Sequence, residues 1–381
     1  MKKAGFVFGM LILGVVLFLH LLNKNYYYKT IWYNLPGIFD ETLFHKRLIE
    51  KSPNLQPWPY SSRYSIKKLS NELIDSLKKF QTTSFLMIQH DSILIESYFL
   101  KTTDSTRSNS FSVAKSYVGA LVGRALKLGY IKSIDQPVGD FMDEFKSEEK
   151  KNITIRHLLT MSSGLDWDES YNSLFSQTTE AYYGSNLEQQ MFALKVRQKP
   201  GEYFEYKSCD TEILAMVLNR ATNMPLSEFL EKELWSQMGA SNASWNLDRK
   251  DGLEKAYCCI YATARDFARL GSLYLHQGNW KGQQLIDSLY IQESITSSIL
   301  LNPDTEQAIN FYGFQWWILT EYKGMSAYYM RGILGQNIVV IPSMDMVVVR
   351  MGYKRGEKIG NHYSEMLAIM DEAIRIKNKQ K

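Results

Sequence analysis

The sequence predicts an α+β protein in which the two ends of the chain share one antiparallel sheet. Three observations lead to this prediction. Apolar residues alternate over residues 83–100, strand-like runs recur in the last third of the chain, and the middle third has the apolar spacing of helices. Strands at both ends can bury their apolar faces together if the chain returns to one sheet. We therefore expect a sheet flanked by helices, with an all-helical subdomain between its two halves.

Composition supports a folded protein and excludes some functions. The chain has 381 residues, of which 45% are hydrophobic and 13% aromatic, which is enough for a large core. The net charge of +4 is spread without a basic block, so no nucleic-acid partner is predicted. Cys209, Cys258 and Cys259 are an odd number with one adjacent pair, a poor disulfide framework, and we expect packing thiols. No metal or cofactor is expected, and the oligomeric state is left open.

The first segment predicts a membrane anchor. Lys2 and Lys3 precede an apolar run over residues 4–22, close to the roughly 20 residues that cross a bilayer. No small-residue cleavage site follows it, so residues 1–22 are predicted to be an uncleaved anchor rather than a removed signal. The two lysines should stay cytoplasmic, which would place the rest of the chain on the extracytoplasmic, periplasmic side with the lipid bilayer as a partner.

Residues 23–80 are predicted to be a linker and lead-in segment, and residues 81–375 the folded domain. Residues 83–100 form two strands around a polar turn at His90-Asp91-Ser92. A helix follows over residues 117–128 and stops at Gly129. A short helix ends near residue 164, and residues 166–186 are predicted to be a long loop. Further helices are predicted over residues 187–196, 211–222, 226–238 and 263–276, and strands over 312–320, 327–331, 335–341 and 346–351.

The first chemical candidate is Ser112-Val-Ala-Lys115. The Ser-x-x-Lys spacing occurs four times in the chain, but only Ser112 opens a largely apolar helix. Residues three apart share one face of a helix, so Lys115 would reach the Ser112 hydroxyl. A desolvated lysine has a lowered pKa and can accept the serine proton. The alternative is a helix-capping serine with an exposed lysine.

Two further segments carry candidates. Tyr206 and Ser208 lie between the Pro200-Gly201 turn and a predicted helix, and an extended backbone would point both side chains the same way. Such a tyrosine can relay a proton or exist partly as phenolate, or simply be a core residue. Near the C-terminus, the run from Arg331 to Gln336 contains Gly332 and Gly335 before a strand. A free N–H there could join that of Ser112 as an oxyanion hole, although glycine before a strand is usually turn chemistry.

In this order and spacing, the three segments resemble the serine β-lactamase and penicillin-binding-protein superfamily. The likeness covers residues 83–352 and extends to residues 155–165, 200–208 and 261–271. It is closest to the class C-like branch, which includes D-Ala-D-Ala carboxypeptidases, family VIII esterases and 6-aminohexanoate-dimer hydrolases. The glycine-bearing run of residues 332–336 looks most like the last group.

The resemblance implies a β-lactamase/transpeptidase-like fold and a role for each candidate. Ser112 matches the acylated nucleophile, Lys115 its proton acceptor, and Tyr206 the tyrosine that protonates the leaving group. Ser208 falls where many relatives have asparagine. Gly335 matches the glycine of the K-T-G or H-x-G motif, and Gln336 the residue that supplies the second oxyanion N–H.

Some positions depart from the family pattern. Position 333 is isoleucine, so the lysine or histidine that would hold a β-lactam carboxylate is missing, and only Arg331 is nearby to substitute. There is also no glutamate motif of the class A type for deacylation. The resemblance therefore implies a serine hydrolase acting on an ester or amide of a small molecule or peptide. A D-Ala-D-Ala carboxypeptidase or β-lactamase, and a catalytically idle, membrane-tethered peptide-binding protein, remain the alternatives.

Overall fold

The computed structural model describes residues 2–21, 24, 26–33, 35–64 and 68–379. Its α-helices are α1 (Lys2–Leu21), α2 (Tyr26–Tyr33), α3 (Asn71–Lys79), α4 (Val113–Lys127), α5 (Ile155–Leu159), α6 (Gln177–Tyr183), α7 (Leu187–Phe192), α8 (Ser208–Thr222), α9 (Leu226–Leu230), α10 (Ala264–Leu275), α11 (Ser288–Ser294) and α12 (Ser364–Asn378). Its strands are β1 (Lys46–Ile49), β2 (Thr82–Gln89), β3 (Ser92–Tyr98), β4 (Ser108–Asn109), β5 (Ala243–Asn246), β6 (Ile260–Ala262), β7 (Asn279–Trp280), β8 (Gln283–Gln284), β9 (Trp317–Tyr322), β10 (Met325–Gly332), β11 (Gln336–Ile341), β12 (Met346–Gly352), β13 (Lys358–Ile359) and β14 (His362–Tyr363).

The main sheet joins the two ends of the domain, as the sequence predicts. Its six strands run in the order β3-β2-β12-β11-β10-β9, and every neighbouring pair is antiparallel. The central pairing sets β12, near the C-terminus, against β2, near the start of the domain. The β2–β3 hairpin turns at His90 and Asp91, whose φ values of 49° and 52° suit a tight two-residue turn. The predicted α+β class is confirmed.

The two faces of this sheet bury two separate apolar clusters. Along β11, Ile338 and Val340 belong to one cluster, while Val339 and Ile341 belong to the other. This alternation follows the period of two that a pleated strand imposes. Helices α4, α8 and α10 pack in the first cluster, and α3 and α12 pack in the second. The sheet is therefore covered by helices on both faces.

The region between the halves of the main sheet is not entirely helical. A second, four-stranded sheet has the order β1-β5-β6-β4. Short strands of this kind gave no clear alternation in the sequence. Its edge strand β1 pairs antiparallel with β5 over Lys46–Ile49, so part of the lead-in segment contributes to the fold. Three residues separate the end of β4 from the start of α4, and this sheet thereby positions the start of that helix.

Several helices of the described chain were not predicted from the sequence, namely α2, α3, α6, α11 and α12. Helix α6 lies within residues 166–186, where a loop is predicted, because its apolar face is made of tyrosines and alanine rather than aliphatic residues. Helix α12 follows the last strand and packs against α3. The helix predicted over residues 226–238 is interrupted: α9 ends at Leu230 and continues as a π-helical turn over Glu231–Trp235.

The predicted membrane anchor is wrong. Nowhere in the described part of the chain is a helix both long enough and apolar enough to cross a bilayer. Helix α1 covers the predicted segment, but it begins with two lysines and includes His20 near its end. The uninterrupted apolar stretch between them is shorter than the about 20 residues that a span requires. The predicted bilayer partner and the extracytoplasmic, periplasmic location depended on this anchor and are withdrawn with it.

Candidate active site

Ser112 lies where the chain turns from β4 into α4. The turn is shaped by Asn109, whose side-chain oxygen accepts a 2.8 Å hydrogen bond from the Phe111 N–H, and by Phe111 itself, which has a φ of 43°. Ser112 directly precedes the first residue of α4 and makes no capping hydrogen bond with its side chain. The hydroxyl is therefore available to groups on neighbouring elements.

Lys115 is buried beside this hydroxyl, with 1% of its surface exposed. Its Nζ lies 3.3 Å from Ser112 Oγ, 2.9 Å from Ser208 Oγ and 3.1 Å from the Tyr257 carbonyl oxygen. Burial lowers the pKa of Lys115 to about 8, although nearby acidic groups, Glu169 foremost, act to raise it. A lysine with this pKa is partly neutral near pH 8 and can accept a proton from the serine.

Tyr206 completes the group of three predicted catalytic residues. It precedes α8, and its ring packs against Trp317 at 5.4 Å and above Lys115 Nζ at 5.1 Å between nitrogen and ring centre. Burial raises the pKa of Tyr206 far above that of a free tyrosine, while a hydrogen bond with Ser112 acts in the opposite direction. The side chain is therefore a neutral phenol near neutral pH and can donate a proton; the phenolate alternative is not supported.

Ser208 is bound on both sides by charged groups. As the first residue of α8, it donates its N–H to Glu169 Oε2 and its hydroxyl to Glu169 Oε1, both at 2.7 Å. The same hydroxyl accepts a hydrogen bond from Lys115 Nζ. Trp167 Nε1 and the Tyr171 hydroxyl also donate to this carboxylate, at 2.6 and 2.5 Å. Glu169 is therefore linked to Lys115 through one serine hydroxyl.

Sequence reasoning missed Glu169. The aromatic residues Trp167 and Tyr171 stood out on the loop, while the carboxylate between them did not. The sequence does contain a signal for Glu169. Residues 167, 169 and 171 are spaced two apart, and an extended segment directs the side chains of such residues to the same side. The structure shows the consequence, since all three side chains meet at the Glu169 carboxylate.

The third predicted segment approaches Ser112 from the end of β10. A Cβ added at Gly332 would lie 2.4 Å from the Ser110 carbonyl oxygen and 3.1 Å from Phe111 Cβ, so only glycine allows this approach. The next residues, Ile333 and Leu334, line the cavity that contains Ser112.

Gly335 and Gln336 lie on the other side of the turn. A Cβ at Gly335 would meet Arg350, and the Gln336 side chain exchanges hydrogen bonds with the backbone of Gly352 at 2.7 and 2.9 Å. Gln336 is fully buried and pairs in register with Gly332. These two residues brace the turn, whereas the wall that faces Ser112 is formed by Ile333 and Leu334.

The cavity at Ser112 has a volume of about 360 Å³. It is lined by residues from the N-terminal segment, the Tyr171 loop, α6 and the turn after β10. Among the described residues that line it, Arg355 is the charged one. Arg331, the cation predicted to substitute for the missing lysine, lies instead on the Trp317 ring and donates to the Asn361 carbonyl. Within the described chain no cluster of His, Cys, Asp and Glu side chains could hold a metal ion.

The cysteine prediction is corrected by a disulfide in the cavity wall. Cys258 and Cys259 are bonded to each other, and Cys209 is a buried free thiol. Cys259 has a φ of 74°, in a turn that brings the two adjacent side chains together before β6. Cys258 lines the cavity, and the preceding residue Tyr257 supplies the carbonyl that binds Lys115. The disulfide therefore adjoins the lysine site.

Comparison with known proteins identifies the family. The model of the beta-lactamase family matches residues 71–359. The chain belongs to the beta-lactamase family. A relative from Paenarthrobacter ureafaciens named 6-aminohexanoate-dimer hydrolase is 26% identical over 297 residues, covering 74% of each chain. An uncharacterized protein of Alkalihalophilus pseudofirmus is 23% identical over 338 residues, covering 78% of this chain and 90% of its own.

Solved structures show the same fold. A Bacillus anthracis protein, provisionally described as a 6-aminohexanoate-dimer hydrolase, superposes with a TM-score of 0.74 at 21% identity, covering 87% of this chain and 90% of its own. A family VIII carboxylesterase superposes with a TM-score of 0.63 at 13% identity, covering 84% and 99%. The β-lactamase/transpeptidase-like fold predicted from the sequence is confirmed, and this beta-lactamase family member belongs among related hydrolases.

Proposed function

We propose that this family member is a serine hydrolase that cleaves an ester or amide bond through an acyl-enzyme on Ser112. The observation that carries the proposal is the buried Lys115 ammonium, which lies 3.3 Å from Ser112 Oγ and has a pKa lowered to about 8. An uncharged lysine at this position has a clear chemical use, because it can remove the serine proton. Burying a lysine without such a use costs stability.

The proposed reaction has two steps. In the first, Ser112 Oγ attacks the carbonyl carbon while neutral Lys115 takes its proton. Tyr206 then gives its phenolic proton to the leaving group, and the Lys115 ammonium returns a proton to Tyr206. In the second step a water attacks the acyl-enzyme, with neutral Lys115 as base, and Ser112 regains its proton as the acid departs.

The oxyanion would be stabilised by two backbone N–H groups. One is that of Ser112, at the start of α4, where the helix dipole favours negative charge. For the second, the sequence predicts Gln336, but the residue at the cavity wall is Ile333, and we propose its N–H instead. In this proposal, Gly335 and Gln336 hold the turn that presents Ile333.

Labelling with a fluorophosphonate probe tests the nucleophile. Ser112→Ala should abolish labelling, because the probe phosphonylates an activated serine hydroxyl. Ser105→Ala, at an exposed serine outside the cavity, is the matched control and should label like the unaltered protein. Undiminished labelling of Ser112→Ala would exclude Ser112 as the nucleophile.

The substrate is proposed by analogy with the relatives. One is named for the 6-aminohexanoate dimer and another for carboxylic esters, so a p-nitrophenyl ester and the 6-aminohexanoate dimer are the first substrates to try. Turnover of either, lost in Ser112→Ala, would also exclude the idle binding protein. No turnover of any ester or amide by a protein that still labels would argue against a hydrolase.

A second candidate is action on a β-lactam or a D-Ala-D-Ala peptide, and one observation favours it. Arg355, an exposed guanidinium in the cavity wall, could bind the carboxylate that such substrates carry. Acylation by a fluorescent penicillin, weakened in Arg355→Gln and absent in Ser112→Ala, would support this substrate class. No acylation at a high penicillin concentration would remove it.

A further inference from the structure

We propose that the segment made of residue 24, α2 and residues 35–36 is a specificity element that limits the length of an apolar acyl group. This inference rests on the proposed function of Ser112. The segment precedes residues 71–359, the part of the chain that matches the family model. Even so, Thr30, Leu35 and Pro36 line the same cavity as Ser112. The substrate site is thus built partly from a segment outside the family domain.

The segment is held against the domain by several contacts with α6. Lys24 Nζ lies 2.9 Å from Glu180 Oε1, and Lys29 Nζ donates to the Tyr183 carbonyl oxygen at 3.3 Å. The Tyr33 ring stacks on that of Tyr183, with 6.5 Å between centroids and an interplanar angle of 9°. Together these contacts fix the segment on α6 more firmly than one exposed ion pair would.

The element that α2 contacts also lines the cavity. Thr178, Thr179, Tyr182 and Tyr183 of α6 line the cavity, as do Tyr171 to Leu174 of the preceding loop. Tyr27 also packs near Phe175 of that loop, with ring centroids 5.7 Å apart. Because α2 packs on α6 and both elements line the cavity, these contacts hold the two lining elements in place relative to each other.

In this proposal the cavity holds the acyl group. Ser112 lines it, whereas Tyr206, the proposed proton donor to the leaving group, is not among the described residues that do. The residues that line the cavity include Leu35, Leu174 and Leu334. An apolar acyl chain attached to Ser112 would extend between these leucines. Leu35 then sets the space available at the end contributed by the N-terminal segment.

The test is an acyl-length profile on the full chain. Values of kcat/KM are measured for p-nitrophenyl esters from acetate to dodecanoate with the unaltered protein, Leu35→Ala and Leu35→Trp. The Leu35 side chain is 62% exposed, so neither substitution should prevent folding. Leu289→Ala, at a leucine that is 76% exposed and outside this cavity, is the matched control.

We expect Leu35→Ala to favour longer chains and Leu35→Trp to favour shorter ones. The ratio of kcat/KM for decanoate to that for butyrate should rise about fivefold in the first and fall about fivefold in the second, a modest effect for a partly open wall. Leu289→Ala should leave the ratio unchanged. The inference is overturned if both Leu35 variants keep the unaltered ratio while Ser112→Ala is inactive. If Ser112→Ala retains full activity, the proposed function fails instead.

Discussion

Replacing Glu169 by glutamine should shift the activity of the protein to lower pH. The carboxylate stabilises the charged form of Lys115 and therefore raises its pKa, against the larger effect of burial that brings this pKa to about 8. Glutamine keeps the size of the side chain and removes the charge. The pKa of Lys115 should then fall further, and neutral Lys115 should be available at lower pH.

The size of the shift follows from the geometry. Ser208 Oγ lies 2.9 Å from Lys115 Nζ and 2.7 Å from Glu169 Oε1. The two charges are thus less than about 6 Å apart, where an effective dielectric constant of about 20 gives an interaction of about 3 kcal/mol. Glu169 is partly exposed, and solvent screening reduces this to about 1.4 kcal/mol. Since 1.36 kcal/mol corresponds to about one pKa unit, the pKa of Lys115 should fall by about that amount.

The assay is the pH dependence of kcat/KM for a p-nitrophenyl ester between about pH 5.5 and 9.5. The value reports the protonation state of the free enzyme, so its acid limb should follow Lys115. The limb should lie near pH 8 in the unaltered protein and about one unit lower in Glu169→Gln. The plateau value of kcat/KM should also fall, because the amide nitrogen of the introduced glutamine would face N–H and O–H groups that now donate hydrogen bonds to the Glu169 carboxylate.

Two control variants separate charge from hydrogen bonding. Tyr171→Phe removes one donor to Glu169 and keeps the charge, so the acid limb should stay close to its position in the unaltered protein. Glu148→Gln removes a carboxylate that is 91% exposed and paired with Lys151, and it should change neither limb nor plateau. An acid limb in Glu169→Gln that stays in place or moves to higher pH would refute the coupling of Glu169 to Lys115.

Three further substitutions have measurable outcomes. Tyr206→Phe should lower kcat/KM for an amide by about 10²- to 10⁴-fold. The loss should be smaller for a p-nitrophenyl ester, because its leaving group needs little protonation. Equal losses for the two substrates would argue against proton donation by Tyr206. Gly332→Ala places a Cβ 2.4 Å from the Ser110 carbonyl oxygen. It should lower the free energy of unfolding by about 1–3 kcal/mol and slow labelling by the probe. An unchanged Tm and labelling rate would contradict the close approach. Burial raises the pKa of Asp210 to about 7, so this carboxyl group binds its proton more tightly in the folded protein than in the unfolded chain. The free energy of unfolding should therefore fall as pH rises from about 4 to 7. Between pH 5 and 8 the loss should be at most about 3 kcal/mol. In Asp210→Asn this loss should disappear from urea midpoints; equal pH dependence in both proteins would contradict it.

Patterns within short segments predicted their own structure well. Alternation over residues 83–100 and strand-like runs in the last third predicted the main-sheet strands, and the structure contains β2, β3, β10, β11 and β12 close to the predicted positions. The second sheet was not predicted from the sequence because β4 has two residues and β6 three, too few for any alternation to show. Helix α6 was not predicted because its buried face carries tyrosines, which in this polar and aromatic segment are also typical of a loop.

In the candidate site, too, contacts within one segment could be predicted from the sequence, whereas contacts between distant segments could not. Ser112 and Lys115 share one helix turn, so local spacing was enough to bring them together. Glu169 reaches the same place from a loop more than fifty residues later, and no local pattern encodes that contact. The wall formed by Thr30, Leu35 and Pro36 depends on the docking of α2 against α6, which is also a long-range event.

The serine at position 208 and the glutamate at position 169 are best understood together. A hydroxyl can accept a hydrogen bond from Lys115 and donate one to Glu169 at the same time, and Ser208 does both at 2.9 and 2.7 Å. The longer side chain of an asparagine at this position would not fit between groups so close together without moving one of them. The short residue thus brings a carboxylate within one hydroxyl of the lysine. Because that carboxylate partly offsets the effect of burial, the basicity of Lys115 depends on a loop residue that the Ser-x-x-Lys motif does not include.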